Sequence, residues 1–279
     1  MKKTSFFKIG SGSRKAFVSS FQASSDLNEV LGENNSSKIK NKIFLKSSEN
    51  MSELIDNCIS LTITSPPYNI GKDSDINMTD DQYWKMIRDV FKETYRVTKS
   101  GGRLVVNVAN LGRKPYIPFS DYFVGVLSDI GFIMRGEIIW QKSKGANANF
   151  AWGSWLSASN PVIRDIHEYC LVFSKDSLKN SESGESTIEK EEFMESTLSI
   201  WNIKAARAKK IGHPAPFPIE LPKRFINLYS FKNDLILDPF IGSGSTAIAA
   251  KLLERDFIGY EINSEYVELA NKRIKELVN

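Results

Sequence analysis

Ser65-Pro66-Pro67-Tyr68, within "TITSPPYNIGKD" (62–73), is a short run whose residue types and order could do chemistry. Proline has no backbone N–H and a fixed φ, so two in succession stop a strand and form a stiff corner. The carbonyls of such a corner are free to point outward. Ser65 adds a hydroxyl before it, and Tyr68 and Asn69 add a ring and an amide after it. The corner therefore offers hydrogen-bond acceptors at a set spacing beside a flat aromatic surface. The plainer alternative is a strand-terminating turn with a surface tyrosine. Asn69 has the same two readings, as a polar group for a ligand or as a cap on the turn.

A second constellation is "LILDPFIGSGSTAIAA" (235–250), which reads as strand, glycine turn and helix in that order. Such a turn lets a ligand approach the backbone and meet N–H groups at the helix N-terminus. Glu261 ends the next strand, 19 positions past Gly242, where a carboxylate can accept from both hydroxyls of a ribose. An adenosine-containing ligand follows from that spacing, but its identity stays open. Ala247 stands where a third glycine would be, and the turn begins Asp238-Pro239-Phe240, which a dinucleotide fingerprint does not predict. Without a ligand the pattern is only a tight strand-to-helix turn.

The elements that must position these groups alternate along the chain. "KIFLKS" (42–47) and "CISLTIT" (58–64) read as strands, with "MSELIDN" as a turn of helix between them. A capping box at Thr79–Gln82 opens a helix with Tyr83, Ile87, Val90, Phe91 and Thr94 on one face. "KSGG" (99–102) reads as its stop, before the buried strand "RLVVNVAN". A helix ending at Gly131, two strands ("FIMRGEIIWQK" and "EYCLVFSK"), the glycine-turn unit and a terminal helix complete the order. Alternation of this kind predicts an α/β fold, a mostly parallel sheet with helices on both faces. Residues 1–40 are rich in Ser, Asn and Lys and read as a partly disordered arm; residues 41–279 read as a single domain. The acidic stretch 174–196 reads as a mobile insertion.

Composition narrows the classes. The 279 residues are 41% hydrophobic, and 37 Lys+Arg against 33 Asp+Glu leave a net charge of +4. That balance is compatible with a nucleic-acid partner without requiring one. Cys58 and Cys170 form no CxxC pair, and with only His167 and His213 beside them neither a metal site nor a disulfide framework is expected. Both cysteines read as small buried hydrophobes, and neither follows a proline as a Pro-Cys nucleophile would. No signal-peptide run or membrane span is visible, so the expectation is a reduced, cytoplasmic protein.

Ser65-Pro66-Pro67-Tyr68 and Phe240-Ile241-Gly242-Ser243-Gly244 together resemble the SPPY and FxGxG motifs of the amino-group DNA methyltransferases. "HPAPFPIELPKRFINLYSFKNDLILDPFIGSGSTAIAAKLLERDFIGYEINSEYVELANKRI" is similar to that family's C-terminal signature over its whole length. SPPY precedes FxGxG, an order like that of the circularly permuted β group. The resemblance implies a Rossmann-like sheet, S-adenosylmethionine as cofactor and double-stranded DNA as substrate. It further implies a cognate restriction endonuclease as a possible partner, with the chain a monomer or homodimer.

By the same resemblance, the Ser65 hydroxyl and Pro66 carbonyl, with Pro67 setting the corner, grip a base amino group, and Tyr68 receives the extruded base. Asp238, Phe240, Gly242, Gly244, Ser245 and Glu261 are the candidate cofactor-binding residues, and His213 a candidate support at the methionine end. Asn69, Lys142, Lys144 and Arg164 are the candidate DNA-binding residues, in a recognition region of about 142–212. Trp152 and Trp155 belong either to that interface or to a packed loop. Lys204, Arg207, Lys209 and Lys210 read as a backbone-facing basic cluster. Lys72 and Asp73 read as part of a closing loop or of a solvated one. Family members often carry Gly-Asp where Ser47 and Ser48 stand, so the adenine contacts are left unassigned. Serine at position 65, where adenine enzymes commonly have aspartate, favours the exocyclic N4 of cytosine, with N6 of adenine as the alternative. The rival readings are a nicotinamide oxidoreductase, which gives the SPPY corner no task, and an inactive DNA-binding protein, against which the intact Ser65, Tyr68, Gly242 and Glu261 argue.

Overall fold

The computed structural model describes residues 39–69, 78–111, 115–142, 153, 155–163, 165–206 and 217–278. Most of the arm expected at 1–40 lies outside these.

Strands β1 (Lys42–Leu45), β2 (Ile59–Thr64), β3 (Thr98–Val108), β4 (Ile133–Gln141), β5 (His167–Ser174), β6 (Ile200–Asn202), β7 (Leu235–Asp238) and β8 (Asp256–Glu261) form one sheet. Its order is β1-β8-β7-β2-β3-β5-β4-β6. Only β5 runs against its two neighbours; the other pairs are parallel. Every residue of β2 is buried, as a strand covered on both faces must be.

Side chains alternate across the strands, so Leu61, Ile63, Val105, Cys170 and Val172 share one core. Against that core pack α4 (Glu220–Tyr229), α5 (Ser245–Leu252) and α6 (Ser264–Val278), through Phe225, Ile226, Ala247 and Ala270. Helices α1 (Asp80–Val97) and α2 (Phe119–Ile130) pack on one another, with Phe91 and Phe123 edge to face. The α/β expectation holds.

Local details explain where the sequence pattern and the fold part. The capping box opens α1 as read: Thr79 Oγ1 accepts from the Gln82 N–H, and the Gln82 side chain accepts from the Thr79 N–H. Lys99–Gly102, expected to stop that helix, lies inside β3 instead. Gly101 is needed for close approach: it has φ +75°, and a Cβ there would stand 2.4 Å from the Lys179 carbonyl. Residues 51–57 form turns and not the expected helix. Arg96 of α1 holds them from outside, donating to the Leu54 and Met51 carbonyls and to Asp56.

Residues 174–196 are mostly exposed but are tied to the body at several points, which the reading as a mobile insertion did not foresee. Helix α3 (Lys190–Ser196) lies at their end. The buried Arg103 guanidinium donates to the Leu178 carbonyl at 2.9 Å, and the Glu185 carbonyl accepts from the Lys232 N–H. Arg255, only 1% exposed, donates to Thr187 Oγ1 and to the Ser230 and Leu253 carbonyls. The segment's carboxylates also find partners, Glu182 with Lys99 and Glu192 with the Asn227 amide, and none of these donors is near in sequence, so a polar, acidic composition gave no hint of them.

Arg255→Met keeps the volume but orphans those buried acceptors. We expect a stability loss of about 2–3 kcal/mol in urea unfolding, with new proteolytic cleavage between residues 180 and 189.

Candidate active site

The two sequence constellations meet because of strand order. In β2 and β7, Leu61 pairs with Ile236 and Thr62 with Leu237 in parallel register. The corner after β2 and the glycine turn after β7 therefore leave adjacent strands at the same end of the sheet. Binding sites of open α/β sheets lie at that carboxyl edge.

At the corner, Pro66 is buried and Ser65 half-buried. Tyr83 of α1 donates its hydroxyl to the Pro67 carbonyl at 2.9 Å, anchoring the second proline from below. Among the described residues, no hydrogen bond engages the Ser65 hydroxyl and no side chain donates to the Pro66 carbonyl. Tyr68 is held at both ends. Its hydroxyl accepts the Ala109 N–H at 2.5 Å, and its ring meets Phe119 edge to face at 5.7 Å. Burial first, then the nearby Glu168 charge, pushes its phenol well above the ordinary value. Asn69 clasps Met78, donating to its carbonyl at 2.6 Å and accepting its N–H at 3.4 Å. Its amide thus ties the corner to the residue just ahead of the Thr79 cap.

The glycine turn is built from close approaches. Gly242 and Gly244 have φ +48° and +81°. A Cβ on Gly244 would lie 2.9 Å from Ala270 Cβ, and one on Gly259 2.3 Å from Ile241 Cδ1. Glu261 accepts the Gly242 N–H at 3.0 Å and the Ile262 and Asn263 N–H groups at 2.9 Å. The acidic residue and the turn are thereby one rigid unit, and the Gly242 N–H serves Glu261 and not an open cradle. Asp238 and Ser245 face inward. The Asp238 carboxylate, 1% exposed, accepts from Thr246 Oγ1 at 2.6 Å and from the Phe240 N–H at 3.1 Å. Ser245 donates to the Phe217 carbonyl at 2.9 Å. The outer face of the turn is left to Phe240, half-buried, and Glu261.

Two more residues complete this end: Ser48, which the sequence marked only as a departure from Gly-Asp, and Arg273, which it did not single out. The Ser48 hydroxyl donates to the Pro239 carbonyl at 2.8 Å, which gives the departure from Gly-Asp a structural task. Arg273 of α6 donates to the Ser243 carbonyl. No local pattern signals either one, since both act on backbone oxygens far along the chain. Cys170 is buried as read, whereas Cys58 is only half-buried; burial raises Cys58 to about 11 and Cys170 well above the usual range.

Lys142, a candidate phosphate contact, pairs with Glu168 and lies over the Trp140 ring at 5.0 Å. Trp155 is 90% exposed, so its packed-loop reading does not hold. Lys72, Asp73, Lys144, Trp152, Arg164, Arg207, Lys209, Lys210 and His213 lie outside the described residues.

A family model described as DNA methylase, of the N6/N4 type, matches residues 59–272. The chain belongs to the N6/N4 DNA methylase family. The type II methyltransferase M.MthZI of Methanothermobacter thermautotrophicus is 30% identical over 276 residues, spanning 86% of this methylase and 78% of its own length. A DNA modification methylase of Thermus thermophilus, solved with S-adenosyl-L-methionine, superposes with a TM-score of 0.68 at 26% identity. That likeness covers 85% of this chain and 95% of the other. The PvuII DNA methyltransferase, described as cytosine-N4-specific, shares the fold, with a TM-score of 0.66 at 20% identity over 85% of this methylase and 91% of its own chain. Among the described residues no helix is long and apolar enough to cross a membrane.

Burial lifts the Asp238 carboxyl from an ordinary 3.8 to about 6, against the opposing pull of Thr246 and the Phe240 N–H. The Thr64 hydroxyl is near this carboxyl, but its geometry is too poor for a hydrogen bond. The folded methylase therefore holds this proton more tightly than the unfolded chain. The group's contribution to stability is largest below about pH 4 and declines until about pH 6. Asp238→Asn lacks that decline, so its unfolding free energy relative to wild type should rise by on the order of 2 kcal/mol between about pH 4 and pH 7. Urea unfolding of both proteins across that range measures it.

Proposed function

We propose that this methylase transfers a methyl group from S-adenosylmethionine to the exocyclic N4 of cytosine in duplex DNA, site-specifically, in the permuted β arrangement. The observation that carries the reading is the stiff corner beside the glycine turn, with a half-buried Ser65 whose hydroxyl makes no hydrogen bond among the described residues. A base amino nitrogen is a poor nucleophile because its lone pair is delocalised into the ring. Two acceptors on its two N–H bonds favour a tetrahedral nitrogen and return density to that lone pair. Ser65 and the Pro66 carbonyl are placed to be those acceptors, and Tyr68 is the ring against which an extruded base would stack. Pro67 and Tyr83 keep the pair from moving, so the chain contributes mainly position and orientation.

S-adenosylmethionine supplies an electrophilic methyl group on a sulfonium. The residues present fit it: Glu261, fixed by three backbone N–H groups, retains capacity to accept from ribose hydroxyls at the mouth of a turn that only glycine can make. Phe240 and the backbone of Gly242 and Gly244 border the same mouth.

Serine in place of aspartate supports cytosine over adenine. A hydroxyl can accept from the amino group or donate to the neighbouring ring nitrogen, whereas an ionised carboxylate only accepts. We place Lys142, Lys144 and Arg164 on the DNA, within a recognition region of about 142–212. Asn69 belongs to the same contact. The relatives' type II names support a modification role beside a cognate endonuclease in the cytoplasm.

Glu261→Ala should weaken S-adenosylmethionine binding by about 1–3 kcal/mol in calorimetry. Undiminished affinity would remove the ribose assignment. Ser65→Ala should bind the cofactor as wild type does while kcat falls about 100-fold or more, the scale of losing one reaction-centre hydrogen bond. Digestion of methylated DNA to nucleosides should yield N4-methylcytosine. N6-methyladenine as the sole product would overturn the cytosine assignment and leave the corner's role intact.

A further inference from the structure

We propose that Glu168 is a positioning residue for methyl transfer, holding the Asn107 amide in one orientation beside Ser65. The proposal rests on the reading that Ser65 and Pro66 grip the target amino group.

Strands β2 and β3 are parallel, with Ile63 opposite Val105 and Thr64 opposite Val106. Continuing that register by one residue sets Ser65 beside Asn107, about one inter-strand spacing of 4.8 Å away. Ile63 and Val105 belong to the same core, so by alternation Ser65 and Asn107 turn toward that face too. Asn107 is 3% exposed, and its amide must find partners inside. Its Oδ1 receives the Cys170 thiol at 3.3 Å, and its Nδ2 donates to Glu168 Oε2 at 2.6 Å. The other Glu168 oxygen takes the Lys142 ammonium.

The chemistry of this chain is directional. The two ends of an asparagine amide have nearly the same shape but opposite hydrogen-bonding character. A neutral neighbour would tolerate either orientation, and a half-turn would exchange donor for acceptor next to Ser65. A carboxylate accepts only, so Glu168 allows a single orientation. The Lys142 ammonium holds the other oxygen of the same carboxylate, so the side chain is fixed from both sides. The same end of β3 also fixes Tyr68 through the Ala109 N–H. One strand terminus thus sets both the polar and the aromatic side of the corner.

The test measures single-turnover methylation of DNA, with active sites titrated by S-adenosylmethionine, and cofactor affinity and thermal unfolding recorded in parallel. Glu168→Ala and Asn107→Ala should each slow the chemical step about ten-fold or more, with cofactor affinity within about twofold of wild type. The double variant should be no slower than Asn107→Ala alone, because the effect passes through the amide. Glu168→Gln, whose amide can donate as well as accept, no longer imposes one orientation and should leave most of the rate lost in Glu168→Ala unrecovered. A Glu168→Ala rate within about twofold of wild type, losses that multiply in the double variant, or a wild-type rate in Glu168→Gln would each overturn the proposal. If Glu168→Ala is too unstable to assay, a wild-type rate in Asn107→Ala overturns it alone, and a ten-fold loss there, with Glu168→Gln slowed as well, supports it. Ser65→Ala is run alongside: full activity there defeats the underlying reading, whereas an inactive Ser65→Ala beside a wild-type Glu168→Ala defeats only the positioning role.

Discussion

The parallel ladder between β2 and β7 is the constraint on which the rest depends. Leu61 against Ile236 and Thr62 against Leu237 fix where two strands end, and both candidate motifs begin at those ends. A corner or a glycine turn alone is a common local structure. Side by side they form a site that can hold two reactants, and most of the surrounding contacts keep that juxtaposition rigid. Tyr83 pins the proline corner from α1, while Ser48, Glu261 and Arg273 pin the glycine turn from β1, β8 and α6. Methyl transfer between two bound molecules benefits from that rigidity, since orientation is the main thing a protein can contribute to a direct displacement.

Electrostatics inside the fold follow a different logic from the surface. Arg103 and Arg255 are buried, and the hydrogen bonds they make go to carbonyls and hydroxyls and not to carboxylates. Burial lowers the proton affinity of both guanidiniums, yet each stays cationic because its ordinary value is so high. They bind the 174–196 segment to the body by multiple directed bonds. Polar sequence is tied down wherever such donors reach its backbone.

The sequence by itself determined the elements with strong local physics. The capping box at Thr79, the left-handed stop at Gly131 and the strand β2 are set by hydrogen bonding, backbone sterics and β-branched side chains within a few residues. The stiff corner and the glycine turn were legible for the same reason, as was the burial of Cys170. Tertiary structure decided everything that depends on partners distant in sequence. Gly101 and Gly102 look like a helix stop but exist for a backbone crossing at Lys179 and contact with Thr98. Asp238 and Ser245, which a motif places at the ligand, turn inward to build the loop. Lys142 reads as a free cation, yet meets Glu168 across 26 positions, and Asn107 becomes a polar hub only when β5 lies against β3. Local sequence encodes what a residue can do, but hydrogen bonds and burial are satisfied in space, so the fold chooses which capacity is used.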